Sequence, residues 1–275
     1  MGHPASEEFC GVTDVLRPRI TPCLLVKDGG LAKTVNFANP KYVGDPINAV
    51  KIFNEKEVDE IIVVDIDASV RQHEPDYVLI KNLAAECRMP LCYGGGVKTV
   101  EQIEEIIRVG VEKVAISSGA IRNPELIAKG AEVVGSQSIV VVMDVKRVES
   151  GKAYEIFVHN GGEGTGLSPI EFAKKAERLG AGELVINSID CDGLMTGYDF
   201  ELARRVREAT NLPITVLGGA GSLNDIAALI EAFGTIGAAA GSLFVFKGKF
   251  RAVLINYPSR AEKDALAPRV LPAIV

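Results

Sequence analysis

The sequence predicts an α/β protein folded as a single (βα)8 barrel of the TIM type, with a twofold internal repeat of half-barrels. Three observations carry this. Eight short β-branched runs alternate with helical patterns, the arithmetic of a barrel of about 250 residues. Residues 90–121, PLCYGGGVKTVEQIEEIIRVGVEKVAISSGAI, are echoed by residues 213–244, PITVLGGAGSLNDIAALIEAFGTIGAAAGSLF. DEIIVVDIDAS at 59–69 is echoed by GELVINSIDCDG at 182–193, with the same spacing of 123 residues. A third echo, at a shifted spacing, relates RITPCLLVKDGG at 19–30 to IVVVMDVKRVESG at 139–151. The period far exceeds the roughly 20–50 residues of a solenoid unit, so it reads as a duplicated half-domain. A doubly wound open sheet is the alternative, but it needs no half-and-half duplication.

In chain order, the strands fall at about 20–25, 60–66, 90–93, 113–117, 138–143, 184–188, 213–217 and 236–240. Helical patterns fall at 45–57, 75–88, 99–109, 124–134, 168–179, 198–209 and 222–233. Asp45-Pro46, Asn123-Pro124, Ser168-Pro169 and Ser222 supply start signals, because a side-chain oxygen caps free N–H groups and proline suits the first turn. Val, Ile, Ala and Gly dominate the strands, as expected where both faces are buried. The barrel is expected over 18–257. Residues 1–17 and 258–275 fall outside the repeat and are expected to be flexible tails.

Composition excludes several function classes. The net charge of −6 leaves no basic footprint for nucleic acid. The five cysteines, Cys10, Cys23, Cys87, Cys92 and Cys191, form no C-x-x-C pair, which argues against structural zinc and a disulfide framework. Reduced thiols and a cytoplasmic location follow as expectations. No apolar run approaches the roughly 18 residues of a membrane span. Residues 1–15 are polar, contain Glu7 and Glu8, and lack a signal-peptide core. His73 and His159 are isolated, so no metal is expected, and nothing calls for an organic cofactor.

In a barrel, chemistry lies at the C-terminal ends of the strands. Those ends carry Lys27-Asp28, Asp65 to Asp67, Gly94 to Gly96, Ser117-Ser118, Asp144 to Lys146, Asn187-Ser188, Asp190, Asp192, Gly218 to Gly221 and Gly241-Ser242. Two glycine clusters, each between a strand and a helix start, offer backbone N–H groups to phosphates. The plainer alternative is that these glycines only make tight turns. Two such clusters point to a substrate with a phosphate at each end. Asp190 and Asp192 are candidate site carboxylates or loop caps. Cys191 between them reads as inert, and the loop Asn160-Gly161-Gly162 is placed to touch substrate.

The ordered segments R-I-x-x-C-L, V-K-D-G, D-I-x-A-S, GGG-V, D-x-KR, S-I-D-x-D-G-x-x-x-G-Y-D and GGAG carry a resemblance. Over about residues 17–257 the chain resembles the cyclase subunit of imidazole glycerol phosphate synthase. That family takes ammonia from a glutaminase and adds it to a bisphosphorylated aminoimidazole carboxamide–ribulosyl substrate. The resemblance implies one phosphate at Gly95, Gly96 and Ser118 and another at Gly218, Gly219, Gly241 and Ser242. It puts Lys33 on a mobile first loop that closes over substrate, and gives Asp192 a substrate role. It also implies a charged ammonia gate at the opposite face, formed by Arg19, Glu60, Lys113 and Glu183, where the glutaminase docks. These four stand at or just before the starts of the first, second, fourth and sixth predicted strands. An ordinary surface ion-pair set, worth little to stability, is the alternative.

The chain also departs from that family. Of its two catalytic aspartates, Asp144 is kept at the fifth strand, but Leu25 stands at the position of the first. Asp67 stands where the family usually has threonine. Either Asp67 takes over the missing proton transfer, or the substrate differs. A paralogous branch, which works with a glutaminase paralogue and a sugar amidotransferase on acetamidino sugars of surface polysaccharides, is similar in its Leu-for-Asp change and in its YPSR-x-EKDAL ending. The expected function is therefore an ammonia-using synthase subunit, repurposed within this family for polysaccharide biosynthesis. Histidine-pathway cyclisation is the first alternative. A catalytically idle barrel that activates or scaffolds the glutaminase is the second.

Overall fold

The computed structural model describes residues 18–148, 151 and 153–266. Strand β1 (Ile20–Lys27) runs into an antiparallel hairpin, β2 (Gly30–Val35) and β3 (Ala38–Gly44), and then α1 (Pro46–Glu55). Next come β4 (Ile61–Asp65), α2 (Ala68–Arg71), α3 (Tyr77–Glu86), β5 (Leu91–Gly94), α4 (Val100–Arg108), β6 (Lys113–Ile116), α5 (Ser118–Arg122) and α6 (Glu125–Val134). The chain continues through β7 (Ile139–Val148), β8 (Ala153–Val158), β9 (Glu163–Gly164), α7 (Pro169–Arg178), β10 (Glu183–Ser188), α8 (Phe200–Ala209), β11 (Ile214–Leu217) and α9 (Leu223–Phe233). It ends with β12 (Gly237–Ala240), α10 (Ser242–Val245), β13 (Phe246–Lys247), β14 (Ala252–Val253) and α11 (Arg260–Leu266).

Eight of these strands close a parallel barrel in the order β1, β4, β5, β6, β7, β10, β11, β12. Closure comes from β1 against β12, with Ile20 beside Ala238. These are the eight predicted strands. Alternation decides which side chains enter the barrel. Cys23, Ile62, Cys92, Ala115, Val140 and Val185 pack inside it. Outward-facing residues such as Leu24, Val63 and Ile186 pack under the helices in the larger core.

Helix starts follow local chemistry in part. The Asp45 side chain accepts from Asn48 N, with Pro46 in the first turn. Thr99 with Gln102, and Ser222 with Asp225, form capping boxes. Ser168 makes no side-chain cap bond, and Pro124, not Asn123, occupies the cap of α6.

Two segments differ from expectation. The first βα connection is the β2–β3 hairpin rather than an irregular loop. Its Thr34 and Asn36 bond the loop after β10, so it folds back over the barrel mouth. Part of the expected C-terminal tail is α11, held by Lys263 Nζ on Asp59 Oδ1 at 2.6 Å. Just before it, the Tyr257 hydroxyl donates to Ile20 O at 2.7 Å. The expectations for residues 1–17 and 267–275 lie outside the described residues. Among the described residues, no helix is long and apolar enough to cross a membrane.

Candidate active site

One pocket opens at the C-terminal ends of the barrel strands. Leu25, Val64, Ala115, Val142 and Leu217 give it an apolar floor, and Gly94 to Gly96, Gly218, Gly219 and Gly241 shape its walls. Lys33, Thr34 and Phe37 of the hairpin overhang it.

Asp144 lies on β7, directly beside Asn187 of β10 in the parallel register. Asn187 Nδ2 donates to Asp144 Oδ1 at 2.9 Å. Ser117 Oγ lies 3.5 Å from Asp144 Oδ2, a long contact that leaves this oxygen the freer of the two. Burial pushes the Asp144 carboxyl up to about 6; the negative charge of Asp192 adds to this, and the Asn187 and Ser117 bonds oppose it. An acid in this range gives or takes a proton readily near neutral pH.

Leu25 lines the same pocket. Asp67, expected beside it as a catalytic group, is not among the residues that line the pocket. Its carboxylate accepts from Lys27 Nζ at 2.9 Å and Asp28 N at 3.2 Å, with Arg71 at 3.4 Å. Being at the start of α2, it is turned into an ion network at the rim. The pocket carboxylate of this segment is Asp65, which takes the Asp67 and Ala68 N–H groups at 2.9 and 3.2 Å. Burial raises the Asp65 carboxyl.

The two proposed phosphate cradles face one pocket, with Gly95, Gly96 and Ser118 in one and Gly218, Gly219, Gly241 and Ser242 in the other. Gly219 has φ +109°, and a Cβ there would strike the Gly197 carbonyl. A Cβ at Gly241 would lie 2.6 Å from Lys33 Nζ. Lys33 is buried on β2, not on a loop, and Nζ donates to Cys23 O at 2.6 Å. Burial lowers its ammonium, while Cys23 and Asp192 oppose that shift. Asp192 joins hairpin to barrel by accepting from Thr34 Oγ1 at 2.7 Å and Phe37 N at 3.3 Å. Burial raises its carboxyl against these bonds and Lys33.

On the opposite face, Arg19, Glu60, Lys113 and Glu183 form one closed ring. Arg19 reaches Glu60 at 2.9 Å and Glu183 at 2.7 Å, and Lys113 reaches them at 2.7 and 2.9 Å. Burial alone would raise Glu183, but Arg19, Lys113 and the Thr215 hydroxyl outweigh it and hold the carboxyl below its ordinary value.

The weaker candidates have structural partners. Asp190 accepts from Arg147 N at 2.8 Å. His159 pairs with Arg122, and His73 Nδ1 lies against Glu74 O. Burial raises the Cys191 thiol, away from reactivity. Asn160 does line the pocket, with Nδ2 on Ile66 O at 2.7 Å. Sequence reasoning did not single out Asp65, Asn187 or Thr34 as site residues. Asn187 and Asp65 stood among the strand-end polar groups, which was a signal; the Thr34–Asp192 bond spans 158 residues and had none.

The family model for histidine biosynthesis proteins matches residues 19–251. The chain belongs to this family. Within it, the chain groups with the cyclase subunit of imidazole glycerol phosphate synthase. A Vibrio vulnificus protein provisionally named a subunit of that synthase is 56% identical over 249 residues, 90% of this chain and 96% of its own length. A Pseudomonas aeruginosa protein with a similar provisional name is 50% identical over 250 residues, covering 91% and 99%. The Lactococcus lactis SK11 subunit HisF of the synthase is 42% identical over 230 residues, covering 84% and 89%.

Proposed function

We propose that this family member is an ammonia-using synthase subunit whose chemistry departs from imidazole glycerol phosphate formation. A glutaminase docked on the charged-ring face supplies ammonia. A phosphate-bearing acceptor lies across the two glycine cradles, with Lys33 and Asp192 against it. Asp144, as its carboxylate, takes one proton from the positively charged nitrogen formed when ammonia bonds to the acceptor. The observation that carries this reading is Leu25 in the pocket, with the Asp67 carboxylate held at the rim by Lys27. Ring closure and cleavage need proton transfers that a leucine cannot make. Together with the YPSR-x-EKDAL ending, this supports a place in acetamidino-sugar biosynthesis for surface polysaccharide.

The test is turnover of the bisphosphorylated aminoimidazole carboxamide–ribulosyl substrate with ammonium salt. Loss of one acid–base group should slow it by about 10²–10⁴-fold. Leu25→Asp should raise the rate, in part only, since a newly buried carboxylate has a raised pKa. Asp144→Asn should abolish what remains. A rate of about 1 s⁻¹ or more in the unmodified protein would overturn the repurposing. That result would establish the second reading, histidine-pathway cyclisation, which Asp65 in the pocket favours as the replacement carboxylate. If no acceptor is ever turned over with ammonium, the barrel only activates or scaffolds the glutaminase.

A further inference from the structure

After β12 and α10 the chain leaves the catalytic face as a short ribbon, β13 against β14, with Phe246 beside Val253. Its turn carries Lys249, Phe250 and Arg251. Phe250 is 85% exposed, the most exposed large apolar side chain among the described residues. Val253 and Leu254 beside it are about half exposed. Residues 246–254, FKGKFRAVL, hold three cations and no carboxylate, in a protein whose net charge is −6. Among the described residues no ion pair holds Lys247, Lys249 or Arg251. Lys249 instead stands 4.9 Å over the Phe250 ring, and Lys41 of β3 lies 5.8 Å over Phe246.

The ribbon is fixed at the pocket mouth. Arg251 donates to Gly193 O at 3.2 Å, and Gly193 lines the pocket. Small molecules bind in concave sites, and this feature is convex. An aromatic knob among unpaired cations has the composition of a protein–protein anchor, in which aromatic and Arg side chains enter desolvated pockets. The charge selects an acidic counterpart.

We propose that the Phe246–Leu254 ribbon docks a second protein, one whose surface offers an apolar pocket rimmed by carboxylates, over the mouth of the site. This partner differs from a glutaminase on the ring face and can be present with it, because the two faces lie at opposite ends of the barrel. The surface goes beyond the proposed chemistry and does not depend on which acceptor is used.

The experiment places a photo-crosslinking p-benzoylphenylalanine at position 250 of the full chain in its own cells. The captured protein is identified, purified and titrated against unmodified protein, Phe250→Ser and Lys247→Glu/Lys249→Glu. The expected result is one acidic protein other than the glutaminase. Its affinity should fall at least about tenfold in each variant and fall again with added salt. Ammonia-dependent turnover, read separately, should be unchanged. Crosslinks to nothing, to a second copy of the chain or to the glutaminase alone would overturn the proposal. So would a purified partner that binds Phe250→Ser as tightly as the unmodified protein.

Discussion

Asp144 ties the site's acidity to the stability of the barrel. Its carboxyl is raised from an ordinary aspartate value of about 3.9 to about 6. Between those values the native state holds a proton that the unfolded chain has lost. The stability it contributes is therefore full below about pH 4 and declines as pH rises through 6. Such a displacement corresponds to about 3 kcal/mol, reduced to about 1–2 kcal/mol because the carboxylate opens onto the pocket. Asp144→Asn cannot ionise, so it should raise the urea-unfolding free energy by that amount at pH 8 and change little at pH 4. An equal change at both pH values would show that packing, not ionisation, is responsible. Asn187 donates to the charged form, so Asn187→Ala should move Asp144 above 6 in a carbon-13 carboxyl titration. An unmoved titration would show that the 2.9 Å bond has no influence on the acid. Asn187 Oδ1 is buried without a partner among the described residues. An unsatisfied buried acceptor costs about 1–3 kcal/mol, a stability sacrifice that keeps the amide turned toward Asp144.

At the scale of elements, the strand–glycine–helix units hold the proposed phosphates. Gly219→Ala would force a Cβ into positive φ and onto the Gly197 carbonyl. It should cost about 1–3 kcal/mol of stability and weaken binding of a bisphosphate in calorimetry. Absence of any bisphosphate binding by the unmodified protein would count against both cradles. The barrel strands and main helices were legible because short β-branched runs and period-3.6 patterns are local, as were the Asp45 and Ser222 caps. The β2–β3 hairpin was not. Ala38–Gly44 is mostly exposed and holds Pro40, so it has no buried face to announce a strand. The family resemblance put Lys33 on a mobile loop, and it lies on β2. Asp65 and Asp67 would share a face of a continued strand, but β4 ends at Asp65 and Asp67 stands at the N-cap of α2, which turns its carboxylate to Lys27 at the rim. The half-barrel duplication rests on the sequence echoes, and we propose it on that basis.

The whole molecule presents two chemically different ends, a charged ring and a glycine-walled pocket, with an apolar barrel interior between them. Lys113→Glu would set a third carboxylate beside Glu60 and Glu183, where Lys113 now lies 2.7 and 2.9 Å from each. It should lower glutamine-dependent turnover more than ammonia-dependent turnover. Equal loss in both assays would remove the gate assignment.

Closure of the barrel also has a consequence for synthesis of the chain. Ile20 pairs with Ala238, and the Tyr257 hydroxyl then bonds Ile20 O. As the nascent polypeptide emerges, one edge of β1 stays open until nearly the entire barrel has been made. Such distant pairing slows folding, and an unpaired strand edge is a template for aggregation. Stalled or truncated translation products ending before about residue 237, where β12 begins, would therefore expose that edge, and they form the population most in need of chaperones.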